Sequence, residues 1–143
     1  MTILITVILL VGFAATAAAQ TDTRQVDFKN FTYNLSCGSA DGKSRLTVKN
    51  GEYSGPKRGF DVSLYIYEVI YGDLDADGQD DAVVLYSCGS GASYVLFHGF
   101  VFKTKGRKVI KLAEIQGGNK GDGGFHEVRI ARCQLVVERY QIG

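Results

Sequence analysis

Tryptophan is absent from this sequence, and proline and methionine occur once each. A single proline excludes a polyproline linker or a proline-rich recognition segment. Neither sign of charge dominates: 16 Lys and Arg stand against 15 Asp and Glu, a formal balance of +1. Such a chain is not built to neutralise nucleic-acid phosphates or to coat an anionic membrane. Histidine is limited to His98 and His126, and the three cysteines show no Cys-x-x-Cys spacing, which excludes a zinc site of the usual kind. The fingerprints of phosphate loops and dinucleotide folds are missing as well. No window longer than about ten residues carries a convincing amphipathic helical stripe.

What is present is glycine, 18 residues, and aromatic side chains, 8 Tyr and 8 Phe in 143 residues. Short apolar runs alternate with Gly, Asn and Asp. Residues 26–35, 45–49, 60–71, 82–86, 93–102, 107–115, 126–131 and 134–140 read as strands. Residues 60–71 carry apolar side chains on both faces and are expected to be buried on both. Asn50-Gly51 supplies the two positive-φ residues of a type I′ turn, and Lys105-Gly106 marks a second hairpin. Residues 109–115 fit a helical period as well as a strand. The expectation is an all-β fold: one small domain of seven to eight mostly antiparallel strands, arranged as a sandwich or a partly open barrel.

Residues 1–19 contain no charge and end in Ala17-Ala18-Ala19, small residues at the positions a signal peptidase reads. They are expected to be a signal peptide cleaved before Gln20, with residues 20–143 forming the domain. The alternative is an uncleaved anchor, although the apolar run is shorter than the roughly 20 residues that span a bilayer. Export to the periplasm or the exterior would place Cys37, Cys88 and Cys133 under oxidising conditions. Cys37 and Cys88 lie in the same local wording, Leu35-Ser36-Cys37-Gly38 and Tyr86-Ser87-Cys88-Gly89, each at the end of an apolar stretch. They are the expected disulfide, with Cys133 left in a hairpin turn; three buried thiols are the alternative.

The most informative segment is Asp73-Leu74-Asp75-Ala76-Asp77-Gly78-Gln79-Asp80-Asp81. Aspartates at positions 1, 3, 5 and 9 of this turn surround a glycine at position 6. A hard divalent cation such as Ca2+ takes six to eight oxygens at about 2.3–2.6 Å. Alternating carboxylates on a tightly coiled loop can converge on one point, and the glycine allows the sharp bend. The comparison with an EF-hand fails twice: position 12 is Val84 rather than a glutamate, and residues 82–86 read as strand rather than helix. The turn resembles the calcium loops of FG-GAP and VCBS-type repeats, of form Asp-x-Asp-x-Asp-Gly-x-x-Asp, in which a strand follows. The resemblance implies calcium ligands at Asp73, Asp75, Asp77 and Asp81 and at the Gln79 carbonyl, with Asp80 pointing outward. It occurs once, so it implies the loop and not a propeller. The whole chain resembles a type of small uncharacterised bacterial secreted protein with a Val-Asp-Phe-Lys-Asn-Phe-Thr-Tyr segment, here residues 26–33, and a late Gly-Asp-Gly-Gly, here residues 121–124. The alternative for the turn is a solvated acidic bend without an ion.

Weaker signals remain. Residues 117–124 form a glycine-rich stretch expected to be a flexible connection, with ligand gripping as the alternative. Ser90 or Ser93, His126 and Asp122 are the one conceivable catalytic set, although Ser87-Cys88-Gly89-Ser90-Gly91 is not a Gly-x-Ser-x-Gly elbow. Asn30 and Asn34 begin formal glycosylation sequons. His98 reads as a half-buried strand residue. The sequence therefore points to an exported, non-catalytic, calcium-binding β-domain that is structural or binds a protein or glycan partner. The alternative is a secreted hydrolase using the glycine-rich loop and His126.

Overall fold

In a computed structural model of the protein, residues 21–37, 44–57, 60–90 and 94–140 are described. The leader expected over residues 1–19 lies outside them, as does Ser93. Nine strands form among the described residues, rather than seven or eight, and every pairing is antiparallel. β1 (Thr32–Leu35) pairs with β2 (Ser44–Thr47). β3 (Glu52–Lys57), β4 (Phe60–Gly72), β5 (Asp81–Ser90), β6 (Tyr94–Lys105) and β7 (Lys108–Asn119) make a five-stranded sheet in chain order. β8 (Phe125–Ala131) and β9 (Gln134–Arg139) form a separate hairpin. The sheets do not close into a barrel.

The five-stranded sheet is the middle of three layers. Side chains alternate across a strand, and β5 uses both sides. Its Ala82, Val84, Tyr86 and Cys88 face one core with Tyr33, Leu35 and Leu46 of the β1–β2 layer. Its Val83 and Leu85 face the other, with Val128, Ile130, Leu135 and Val137 of the β8–β9 hairpin. Residues 81–86 are buried without interruption, which is why their sequence shows an apolar run rather than an alternation. In the first core, Tyr33 and Phe100 stack with ring centroids 5.9 Å apart, and Tyr86 lies 4.7 Å from Phe100. The Tyr33 hydroxyl donates to the Phe28 carbonyl at 2.5 Å, so its polar tip is satisfied where the ring is buried.

Two expectations need correction, and one open alternative is decided for the strand. Residues 26–35 are not one strand, because Asp22 and Asp27 accept backbone N–H groups of Arg24, Lys29 and Asn30 and wind two 3₁₀ turns, Thr23–Gln25 and Phe28–Asn30, before β1. β4 is not buried on both faces throughout. Val62, Leu64 and Ile66 are buried while Asp61, Ser63 and Tyr65 are exposed, and cover on the second face begins only where the β8–β9 hairpin lies against it. Residues 109–115 belong to β7 and not to a helix, since β6 offers them a ladder.

The turns follow their chemistry. Asn50 and Gly51 have φ of 54° and 86°, and Lys49 and Glu52 exchange both backbone hydrogen bonds across them, at 2.9 and 3.1 Å. The strands on either side then part into different layers. Cys37 and Cys88 are joined as a disulfide that ties the β1–β2 layer to β5, and Cys133 is free and exposed in the β8–β9 turn. A disulfide is consistent with an oxidising, exported setting. Among the described residues, no helix is long and apolar enough to cross a membrane.

Candidate metal centre

The acidic turn connects β4 to β5, two neighbouring strands with direct register from Gly72↔Asp81 upward. Its shape is made by its own carboxylates. Asp73 accepts the N–H groups of Asp77 at 3.2 Å and Gly78 at 2.8 Å, and Asp77 accepts that of Gln79 at 2.9 Å. Ala76 and Gly78 take positive φ, 59° and 82°, so the chain coils inward on itself. At its base, Asp81 is 1% exposed and accepts the Leu74 N–H at 2.9 Å. Burial raises the Asp81 carboxyl above its ordinary pKa, and the Asp75 and Asp77 charges add to this, against the Leu74 hydrogen bond and the Lys103 charge.

Oxygen atoms of Asp73, Asp75 and Asp81 lie within 4.8 Å of one another. Two oxygens bound to one calcium ion, each at about 2.3–2.6 Å, are separated by at most about 5 Å. Those three carboxylates therefore fit a single hard cation in spacing and in donor type. Asp77 is placed differently. The Lys103 ammonium, from β6, donates to Asp77 at 2.5 Å and also to Asp75. The Lys103 bond, with the Gln79 N–H, holds Asp77 below the usual carboxylate range, and the two aspartates raise the lysine in turn. Gln79 lies in the same turn, its N–H committed to Asp77.

Asp80 lies outside the converging carboxylates. It pairs with Arg24 of the first 3₁₀ turn, whose guanidinium also sits 5.0 Å from the centroid of the Tyr71 ring. That segment is fixed to the far hairpin by Thr21 N–H to the Gly106 carbonyl at 3.0 Å and by Thr104 Oγ1 to the Thr21 carbonyl at 2.7 Å. A cleft of about 460 Å³ adjoins the turn, lined by Asp22, Arg24, Gly78, Gln79 and Asp80. Sequence reasoning missed Lys103 and Arg24. Both reach the turn through tertiary packing, from 22 residues after Asp81 and 49 before Asp73, and no local pattern marks them.

Among the described residues, which exclude Ser93, no hydrogen bond or ion pair joins Ser90, His126 and Asp122. The Asp122 carboxylate accepts the Asn119 N–H at 2.9 Å, closing a capping box over the 3₁₀ turn Lys120–Asp122. His126 faces Glu138 at 3.7 Å and Tyr140 at 5.0 Å between rings. His98 stacks on Tyr86, and its ring nitrogens are buried without a hydrogen-bond partner among the described residues. Burial pushes its pKa down, against the Glu114 charge. Residues 117–124 form a packed corner rather than a loose connection: a Cβ on Gly117 would meet the Phe125 ring at 2.8 Å, and one on Gly124 the Phe97 ring at 2.9 Å. Compared with protein-family models, curated proteins and solved structures, the chain matches none.

Proposed function

We propose that this protein is an exported, non-catalytic β-domain whose acidic turn binds one calcium ion in the manner of FG-GAP and VCBS loops. Asp73, Asp75 and Asp81 would be the initial ligands. Asp77 would join once the Lys103 hydrogen bonds to Asp75 and Asp77 are both exchanged for the ion, which the flexible lysine stem permits, and the Gln79 carbonyl would extend the oxygen set. The observation that carries this reading is the convergence of three carboxylates within 4.8 Å on a turn that joins two central strands. Carboxylates so close repel one another, by roughly 3 kcal/mol per pair at about 5 Å and an effective dielectric near 20. A divalent cation relieves that repulsion more fully than one ammonium does. The role of the ion is structural: it fastens β4 to β5 at the end where the sheet also meets the N-terminal segment. The leader expected over residues 1–19 would deliver the domain to a compartment rich in calcium.

A ligand that binds only the folded form stabilises it by about 2.7 kcal/mol at a hundredfold excess over Kd. For a domain of this size that raises the melting midpoint by about 10 °C. Scanning calorimetry in calcium and in EDTA measures the shift, and native mass spectrometry counts the ion. An equal midpoint in both buffers, with no ion retained, would remove the site.

A further inference from the structure

The second face of the central sheet is covered by the β8–β9 hairpin at one end only. Beyond the edge of that cover lies an aromatic trough of about 280 Å³, lined by Tyr65, Tyr67, Ser87, Phe97, Gly123 and Phe125. Its floor is set by register. Tyr65 of β4, Ser87 of β5 and Phe97 of β6 are direct cross-strand partners and share one face. The two rings therefore stand about 10 Å apart, with the small serine between them. The ladder shifts register between Ile66 and Glu68, leaving Tyr67 as the extra residue of a bulge and packing it on the same side as Phe125. The glycine corner holds the far wall, with Gly124 against Phe97 and Gly117 against Phe125.

We propose that this trough binds a neutral pyranose unit of a glycan, its C–H face laid on the rings. Three observations select that occupant. The lining contains no carboxylate, ammonium, guanidinium or imidazole, and burial, with the Glu68 charge beside it, pushes the Tyr67 phenol up to about 12. An anionic polymer or a phosphate finds no countercharge there. The lining also offers three hydroxyls, on Tyr65, Tyr67 and Ser87, among four phenyl-type rings, which suits a ring ligand that is apolar on its faces and polar on its rim. Finally, the volume of about 280 Å³ lies just under the range of about 300–1,000 Å³ usual for ligand sites, which suits a single sugar ring rather than a larger ligand. Tyr65 is 49% exposed and ready to stack without rearrangement.

The proposal does not depend on the acidic turn, so its test is run in EDTA. Cellotetraose, maltotetraose and chitotetraose are titrated into 15N-labelled protein up to about 10 mM, the weak end of specific binding. At least one is expected to shift the amides of Tyr65, Ser87 and Phe97. Tyr65→Ala, at a site exposed enough to leave the fold intact, is expected to weaken that sugar about tenfold with an unchanged melting midpoint. No shift with any of the three, or equal affinity in Tyr65→Ala, overturns the proposal. So does the appearance of the same shifts on raising the protein concentration alone, which would give the face to a second copy of the chain.

Discussion

Asp81 carries the clearest consequence of a single residue's surroundings. It is the buried member of the converging carboxylates, and its folded pKa is raised. A raised acid contributes stability that is complete below the unfolded pKa, about 3.9, and lost as pH rises through the folded value. In metal-free protein, ionising this buried carboxylate as pH rises therefore costs stability. Asp81→Asn keeps an oxygen for the Leu74 N–H and removes the charge. In EDTA the variant is expected to melt at or above wild type once Asp81 ionises, and to lack the fall in midpoint expected of wild type as pH rises above about 4. In calcium the order reverses, because the variant has given up a ligand. Calorimetry across that pH range in both buffers decides it; a lower midpoint for the variant in both would assign Asp81 a purely structural task. This residue was legible in the sequence because all the aspartates of the turn are contiguous and their spacing is a local pattern. The cation facing them was not, because Lys103 approaches only after β6 has paired with β5.

At the scale of elements, the legible features were those in which a local rule and the tertiary context agree. The Asn50-Gly51 turn and the Lys105-Gly106 hairpin fall where turn chemistry puts them, whereas the final hairpin was legible from its flanking strands alone, its Arg132-Cys133 turn taking φ of 52° and 56° without a glycine. The 3₁₀ turns before β1 were not legible, because residues 26–35 have β-type composition and the side chains of Asp22 and Asp27 override it. Nor did the period over 109–115 decide between helix and strand, since both faces of that part of β7 are largely exposed and burial left no alternation to read. Room for the side chains of the second core is left by glycines that look incidental in the sequence. A Cβ on Gly99 in β6 would lie 2.7 Å from Ile115 and 2.8 Å from Leu85, both in or against the second core. Gly99→Ala therefore overpacks that core and is expected to cost about 1–3 kcal/mol, read as a lower urea midpoint at constant slope. An unchanged midpoint would mean that the β8–β9 layer can lift without penalty.

The molecule as a whole is three thin layers, and the outer two are small. β1 and β2 contribute four residues each, and a two-stranded ribbon is marginal on its own in water. That layer is held by the aromatic cluster beneath it and by Cys37–Cys88, which closes a loop of 51 residues in sequence. In the chain-entropy account a loop of that length stabilises by about 4 kcal/mol, a large fraction of the 5–15 kcal/mol typical of a domain. Reduction is therefore expected to lower stability by roughly that amount, by urea denaturation with and without a reductant, and to expose β1 and β2 to hydrogen exchange before the central sheet. Cys133→Ser, in an exposed turn, is expected to change neither quantity. The order of exchange is the discriminating readout: if β5 and β6 lose protection together with β1, the disulfide stabilises the domain as one cooperative unit rather than pinning a detachable layer to a sheet that stands without it.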